Sequence, residues 1–73
     1  MRITIESTSK TTFVNGVPAR IWEGTTASGI AVIAYVTRIA AQEGQDLGEF
    51  ERELQETRKP SPEAARIAPR LIL

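Results

Sequence analysis

The sequence predicts an α+β domain: a small, mostly antiparallel sheet packed against one helix. Three observations carry this. Asn15-Gly16 stands between two β-rich runs, a strong hairpin signal because both residues tolerate positive φ. Apolar and polar residues alternate with period two through Ile3-Thr4-Ile5-Glu6. Beyond Gln42 the period lengthens, with Leu47, Phe50 and Leu54 spaced as a helical stripe.

Each element follows in order. Ile3 to Glu6 is expected as the first strand, and Ser7 to Lys10 as a polar turn. Thr11 to Val14 and Val17 to Glu23 form the arms of the Asn15-Gly16 hairpin, setting Val14 opposite Val17, Thr12 opposite Ala19 and Thr11 opposite Arg20. Residues 24–29, GTTASG, read as a six-residue loop. Ile30 to Ala40 is a fourth strand. If that loop closes with Glu23 opposite Ile30, then Trp22 faces Ala31, Arg20 faces Ile33 and Pro18 faces Tyr35. Asp46 is placed to cap a helix whose acidic start and basic Arg58-Lys59 end suit its dipole, and Pro60 stops it. Ser61 to Ala65 is a linker or short turn. Arg66 to Leu73 is expected as a C-terminal edge strand, since Pro69 lacks a ladder donor.

With 73 residues the chain is read as a single domain, 1–73. A domain this small buries only about 60–65% of its unfolded surface, so it usually needs extra support. The chain has neither Cys nor His, which removes disulfides, thiolate chemistry and the commonest zinc ligands. Association with a second copy is the support left, and a homo-oligomer is expected. Nine basic and nine acidic residues cancel, arguing against long nucleic acids and anionic membranes as partners. No apolar run has the length of a signal peptide or a membrane span, so a cytoplasmic location is expected.

The register above divides the sheet into two faces. One carries Val14, Val17, Ala19, Ile21, Val32, Ala34 and Val36, a core for the helix to cover. The other carries Phe13, Pro18, Arg20, Trp22, Ala31, Ile33 and Tyr35, left for a partner or ligand because there is one helix for two faces.

The stretch RIWEGTTASG concentrates the candidate site. Backbone amides at Gly24 and Gly29 and the hydroxyls of Thr25, Thr26 and Ser28 suit phosphate or ribose oxygens. Arg20 and Arg38 supply charge-assisted bonds. Trp22 or Tyr35 can stack on a base, and Glu23 can accept from a base edge or ribose hydroxyl. A plain turn with water-facing hydroxyls explains GTTASG equally, and both readings stay open. Without His or Cys the usual general bases and nucleophiles are missing, and the carboxylates lack metal-ligand spacing. A non-enzyme with neither cofactor nor metal is expected.

ITIEST, NGVPARIWEGTTASGI, EFERELQE and the RLIL ending together resemble a group of small bacteriophage and prophage proteins, over nearly the whole chain. The resemblance implies an anti-defence role in the cytoplasm of an infected bacterium. It points to phage sponges that bind cyclic nucleotide signals of the CBASS type as oligomers, without cleaving them. The alternative is a protein–protein inhibitor of a host defence enzyme, like an anti-CRISPR or a host-takeover factor, docking through Phe13, Trp22 and Tyr35.

Overall fold

The computed structural model describes residues 1–67. Three antiparallel strands, β1 (Ile3–Val14), β2 (Val17–Thr26) and β3 (Ala31–Val36), lie in the order β1-β2-β3. Two short helices follow, α1 (Leu47–Leu54) and α2 (Pro62–Ala65). The architecture is α+β, with three described strands in place of the four expected N-terminal ones. The expected C-terminal strand falls on residues 66–73, of which 68–73 lie outside the described residues; Arg66 is the C-cap of α2.

The β1–β2 hairpin has the register that Asn15-Gly16 dictates: Val14 pairs with Val17, Thr12 with Ala19 and Thr11 with Arg20. Asn15 and Gly16 both take positive φ, at 51° and 81°. Residues 7–10 are not a turn but an irregularity within one long strand. Ser7 pairs with Trp22 and Thr11 with Arg20, so residues 8–10 stand opposite Ile21 alone. Two extra residues are an even number, so side chains keep their faces across the irregularity.

Polar groups stabilise the irregularity, which explains why a run of Ser, Thr and Lys can lie inside a strand. The Thr8 hydroxyl, fully buried, donates to the Ile21 carbonyl at 2.7 Å and accepts from the Lys10 amide at 3.2 Å. Arg20 Nη1 donates to the Thr8 carbonyl at 2.8 Å. The Ser7 carbonyl and Ser9 amide bond to the amide and carbonyl of Arg58, at 3.1 and 3.0 Å.

The β2–β3 connection departs from expectation. β2 continues through Gly24, Thr25 and Thr26, and Glu23 pairs with Ile33, three residues from the expected Ile30. The reason is a short turn. Thr26 exchanges backbone bonds with Ile30 and Gly29, the Thr26 amide donating to Ile30 at 2.9 Å and the Gly29 amide to Thr26 at 3.0 Å. Gly29 takes a φ of 88°, as a three-residue hairpin loop demands. An odd shift transfers every β3 side chain to the opposite face. Ile33 and Tyr35 therefore share a face with Ile21 and Glu23, whereas Val32, Ala34 and Val36 share one with Arg20 and Trp22. The strand ends at Val36, short of the expected Ala40.

Helix α1 starts where expected, with the Asp46 carboxylate accepting from the Glu49 amide at 3.1 Å. It ends at Leu54, well before Arg58 and Lys59, with Gln55 as C-cap. The chain then meets the outer edge of β1 in a parallel bridge between Thr8 and Arg58, and α2 follows. Helix α1 stands beside the Trp22 face, while the cap of α2 bonds to Glu23 on the Ile21 face. Each face thus has a helix, where one helix for two faces was expected. The core is small: among the described residues the buried apolar side chains are Ala19, Ile21 and Ala64.

Gly24 is fixed by close approach of β1. A Cβ there would lie 1.8 Å from the Thr4 carbonyl oxygen and 2.7 Å from Ile5 Cα. Gly24→Ala is expected to cost about 3 kcal/mol or more, through overpacking against backbone, read as a lower urea midpoint with unchanged slope. Thr8→Val, similar in shape, leaves the Ile21 carbonyl without its hydroxyl donor and is expected to cost about 2 kcal/mol in the same measurement.

Candidate functional site

A groove of about 440 Å³ opens between the Trp22 face and helix α1. Pro18, Trp22 and Val36 line the sheet side, and Phe50 and Leu54 the helix side. Arg20, Arg38, Thr37 and Glu53 supply polar groups. The helix side is held in place from β1, where the Ser7 hydroxyl donates to the Glu56 carbonyl at 2.8 Å, just beyond the end of α1. Half-buried Trp22 and Phe50 therefore bound one cleft from two separate elements.

The cleft has a net positive lining. Arg20 spends Nη1 on the Thr8 carbonyl, a neutral acceptor, so its charge is not cancelled there. Among the described residues no carboxylate lies within ion-pair distance of Arg20 or Arg38. Glu53 opposes them with one negative charge. A planar ring bearing an anionic substituent matches these groups.

Three of the expected site residues, Arg20, Trp22 and Arg38, meet at this groove. The others lie elsewhere. Tyr35 is on the Ile21 face, so it and Trp22 are on opposite sides of the sheet. Gly24 and Thr25 are strand residues, and together with Glu23 they line a second, wider depression near Ile33 and Arg58. Thr26, Ser28 and Gly29 form the β2–β3 turn. There the Thr26 hydroxyl accepts from the Ile30 amide and contacts the Ser28 hydroxyl, each at 3.2 Å. Thr26 is four strand residues from Trp22, about 13 Å along β2, so the turn's hydroxyls stand away from the indole. Their observed bonds fit the plain-turn reading of GTTASG.

Glu23 has a structural assignment instead of the expected place at a loop mouth. It is only 8% exposed. One carboxylate oxygen accepts from the Ser61 hydroxyl, and the other accepts from the Ser61 amide at 2.9 Å. Arg58 Nη1 lies 3.4 Å from Glu23, while its buried Nε lies 3.6 Å from the Glu6 carboxylate. Glu6 and Glu23 are directly paired across β1 and β2, where like charges repel. Arg58 lies between them and offsets that repulsion. The Ser61 hydroxyl, then the Ser61 amide, and behind them the Arg58 charge hold the Glu23 carboxyl below its ordinary range, against burial, which pushes it up.

Phe50 and Leu54 line this groove, whereas their helical spacing predicts a lid over the core face. Their helical spacing was visible, but not which face of the sheet the helix would meet. Among the described residues no cluster of His, Cys, Asp or Glu is arranged to hold a metal ion, and no helix is long and apolar enough to cross a membrane. No family model, curated protein or solved structure matches the chain.

The depressed Glu23 carboxyl makes stability depend on pH. A group that ionises more readily when folded stabilises fully above its unfolded pKa and loses that contribution as pH falls through the folded value. Stability is expected to fall as pH drops below about 4.5, the ordinary value for this carboxyl. Glu23→Gln should lower stability at pH 7 and flatten the acid limb of a plot of unfolding free energy against pH.

Proposed function

We propose that this protein is a non-catalytic binding module whose groove takes a nucleotide, Trp22 and Phe50 receiving the base while Arg20 and Arg38 receive phosphate. The observation that carries this reading is the meeting of two aromatic side chains with two arginines that no described carboxylate pairs with, in a cleft of about 440 Å³. Base–aromatic stacking contributes about 1–3 kcal/mol and tolerates any base. Selectivity for one nucleotide then rests on the polar rim of Thr37, Arg38 and Glu53. The resemblance to small phage proteins supplies the setting: sequestration of a cyclic nucleotide immune signal, by a homo-oligomer, in the cytoplasm of an infected bacterium.

A second reading, inhibition of a host defence enzyme by direct contact, is favoured by the exposure of large apolar side chains. Phe13 and Val17 near the β1–β2 turn and Leu47 at the start of α1 are all solvent-exposed. Phe13 is on the Trp22 face of the sheet and Val17 on the opposite one, so this reading rests on Phe13 as the exposed aromatic anchor.

Calorimetry against a panel of cyclic di- and trinucleotides and linear mononucleotides separates these. A nucleotide that binds should do so at least tenfold more weakly to Trp22→Ala and to Arg38→Ala, while Phe13→Ala leaves binding unchanged. Absence of heat and of any rise in melting temperature across the panel would overturn the nucleotide reading. Co-purification of one stoichiometric host protein, lost on Phe13→Ala, would establish the second.

A further inference from the structure

Among the described residues strand β3 ends the sheet, and no described strand pairs with its outer edge. Backbone groups in an antiparallel pair alternate between facing the neighbour and facing away. The Thr26 amide bonds to the Ile30 carbonyl, which fixes the alternation: residues 32, 34 and 36 turn their amides and carbonyls to β2. Ala31, Ile33 and Tyr35 therefore turn theirs outward.

The two sheet edges differ. The outer edge of β1 is interrupted by the irregularity at residues 8–10 and occupied at Ser7 and Ser9 by Arg58. The β3 segment, AVIAYV, has no charge, proline, glycine or irregularity, the devices that normally protect an edge. Exposed apolar side chains accompany it. Ile30, just before the strand, is 62% exposed, Tyr35 within it 41%, and Ile39 just beyond it 50%. With so few buried apolar side chains within one copy, this edge is also where more apolar surface can be buried.

We propose that two copies of this chain pair through β3, antiparallel and edge to edge, with Ile33 facing Ile33 of the second copy on a two-fold axis. The register follows from the outward groups. A bonded pair needs outward residues on both strands, so Ala31, Ile33 and Tyr35 must meet Ala31, Ile33 or Tyr35 of the other copy. Centring on Ile33 pairs Ala31 with Tyr35, Ile33 with itself and Tyr35 with Ala31, using every outward residue of β3. A shift by two residues leaves some without partners, and a shift by one opposes outward groups to inward ones. The absence of charge along β3 means that this self-pairing carries no like-charge repulsion. The axis stands perpendicular to a continuous sheet formed by both copies, so the two Trp22 grooves open on the same side of it. The pairing does not depend on what those grooves bind.

The chain has no cysteine, so one introduced thiol can form a disulfide only between copies. Paired residues that exchange both backbone bonds have Cα atoms about 5.5 Å apart, within the disulfide range of about 4.4–6.8 Å. Under mild oxidation Ile33→Cys should cross-link to a covalent dimer in high yield. Ala31→Cys alone should not, because its two copies lie about 14 Å apart along the strands, but a mixture of Ala31→Cys and Tyr35→Cys should. Light scattering should give a dimer mass for the unmodified chain, and Tyr35→Lys, at an exposed position, should raise the dissociation constant at least tenfold. A monomer mass at high micromolar concentration, or equal cross-linking at residues 31 and 33, would overturn the proposal. So would protection of the 31, 33 and 35 amides from exchange in a monomer, which would mean that a segment of the same chain fills the edge.

Discussion

Much of this fold depends on one buried carboxylate. Glu23 lies in the central strand and accepts both the amide and the hydroxyl of Ser61, a residue 38 positions later. That same hydroxyl accepts from the Ala64 amide and so caps α2. Arg58 approaches Glu23 from the edge of β1 while its backbone bonds to Ser7 and Ser9. A single acid thereby anchors the C-terminal part of the described chain to the sheet. Buried charge is costly unless it is paired and hydrogen-bonded, and here both conditions are met. Arg58, within ion-pair distance of both Glu6 and Glu23, offsets the repulsion between these paired like charges.

This polar anchoring goes with a poor apolar core. Ile21 is the only large apolar side chain fully buried among the described residues, and Thr8 and Thr12 are buried beside it in extent. In a domain of this size hydrophobic burial leaves a thin margin. Directional bonds across the long sequence separations of Ser7 to Glu56, Ser9 to Arg58 and Glu23 to Ser61 hold the elements in one arrangement. The irregularity in β1 belongs to the same system, because it presents the Ser7 and Ser9 backbone to Arg58.

The position of the groove follows from these constraints. Arg58 is tied to the β1 edge, and Ser7 holds the Glu56 carbonyl, so the end of α1 is fixed near Trp22. Phe50 and Leu54, one turn apart, then face Trp22 and Val36 across open space instead of closing over the sheet. Helix α1 is thus anchored at its C-terminal end, with Leu47 exposed at the other.

Local chemistry was legible in the sequence. Asn15-Gly16 fixed the first hairpin and its register because positive φ at two adjacent positions leaves little choice of turn, and Asp46 marked the helix start because its side chain reaches a nearby amide. The turn expected at residues 7–10 and the loop expected at 24–29 resolved otherwise, since polar composition does not distinguish a turn from a strand whose polar groups find distant partners. Thr8 finds Ile21, and Ser7 and Ser9 find Arg58, contacts invisible along the chain. The three-residue shift between β2 and β3 was decided by where the Thr26 to Ile30 turn closes, and an odd shift alone was enough to separate Tyr35 from Trp22. The β1–β2 hairpin and the first turn of α1 were thus set by neighbours in sequence. Tertiary structure decided which residues share a face, where the helices attach and what Glu23 does, because those outcomes depend on bonds between groups far apart along the chain.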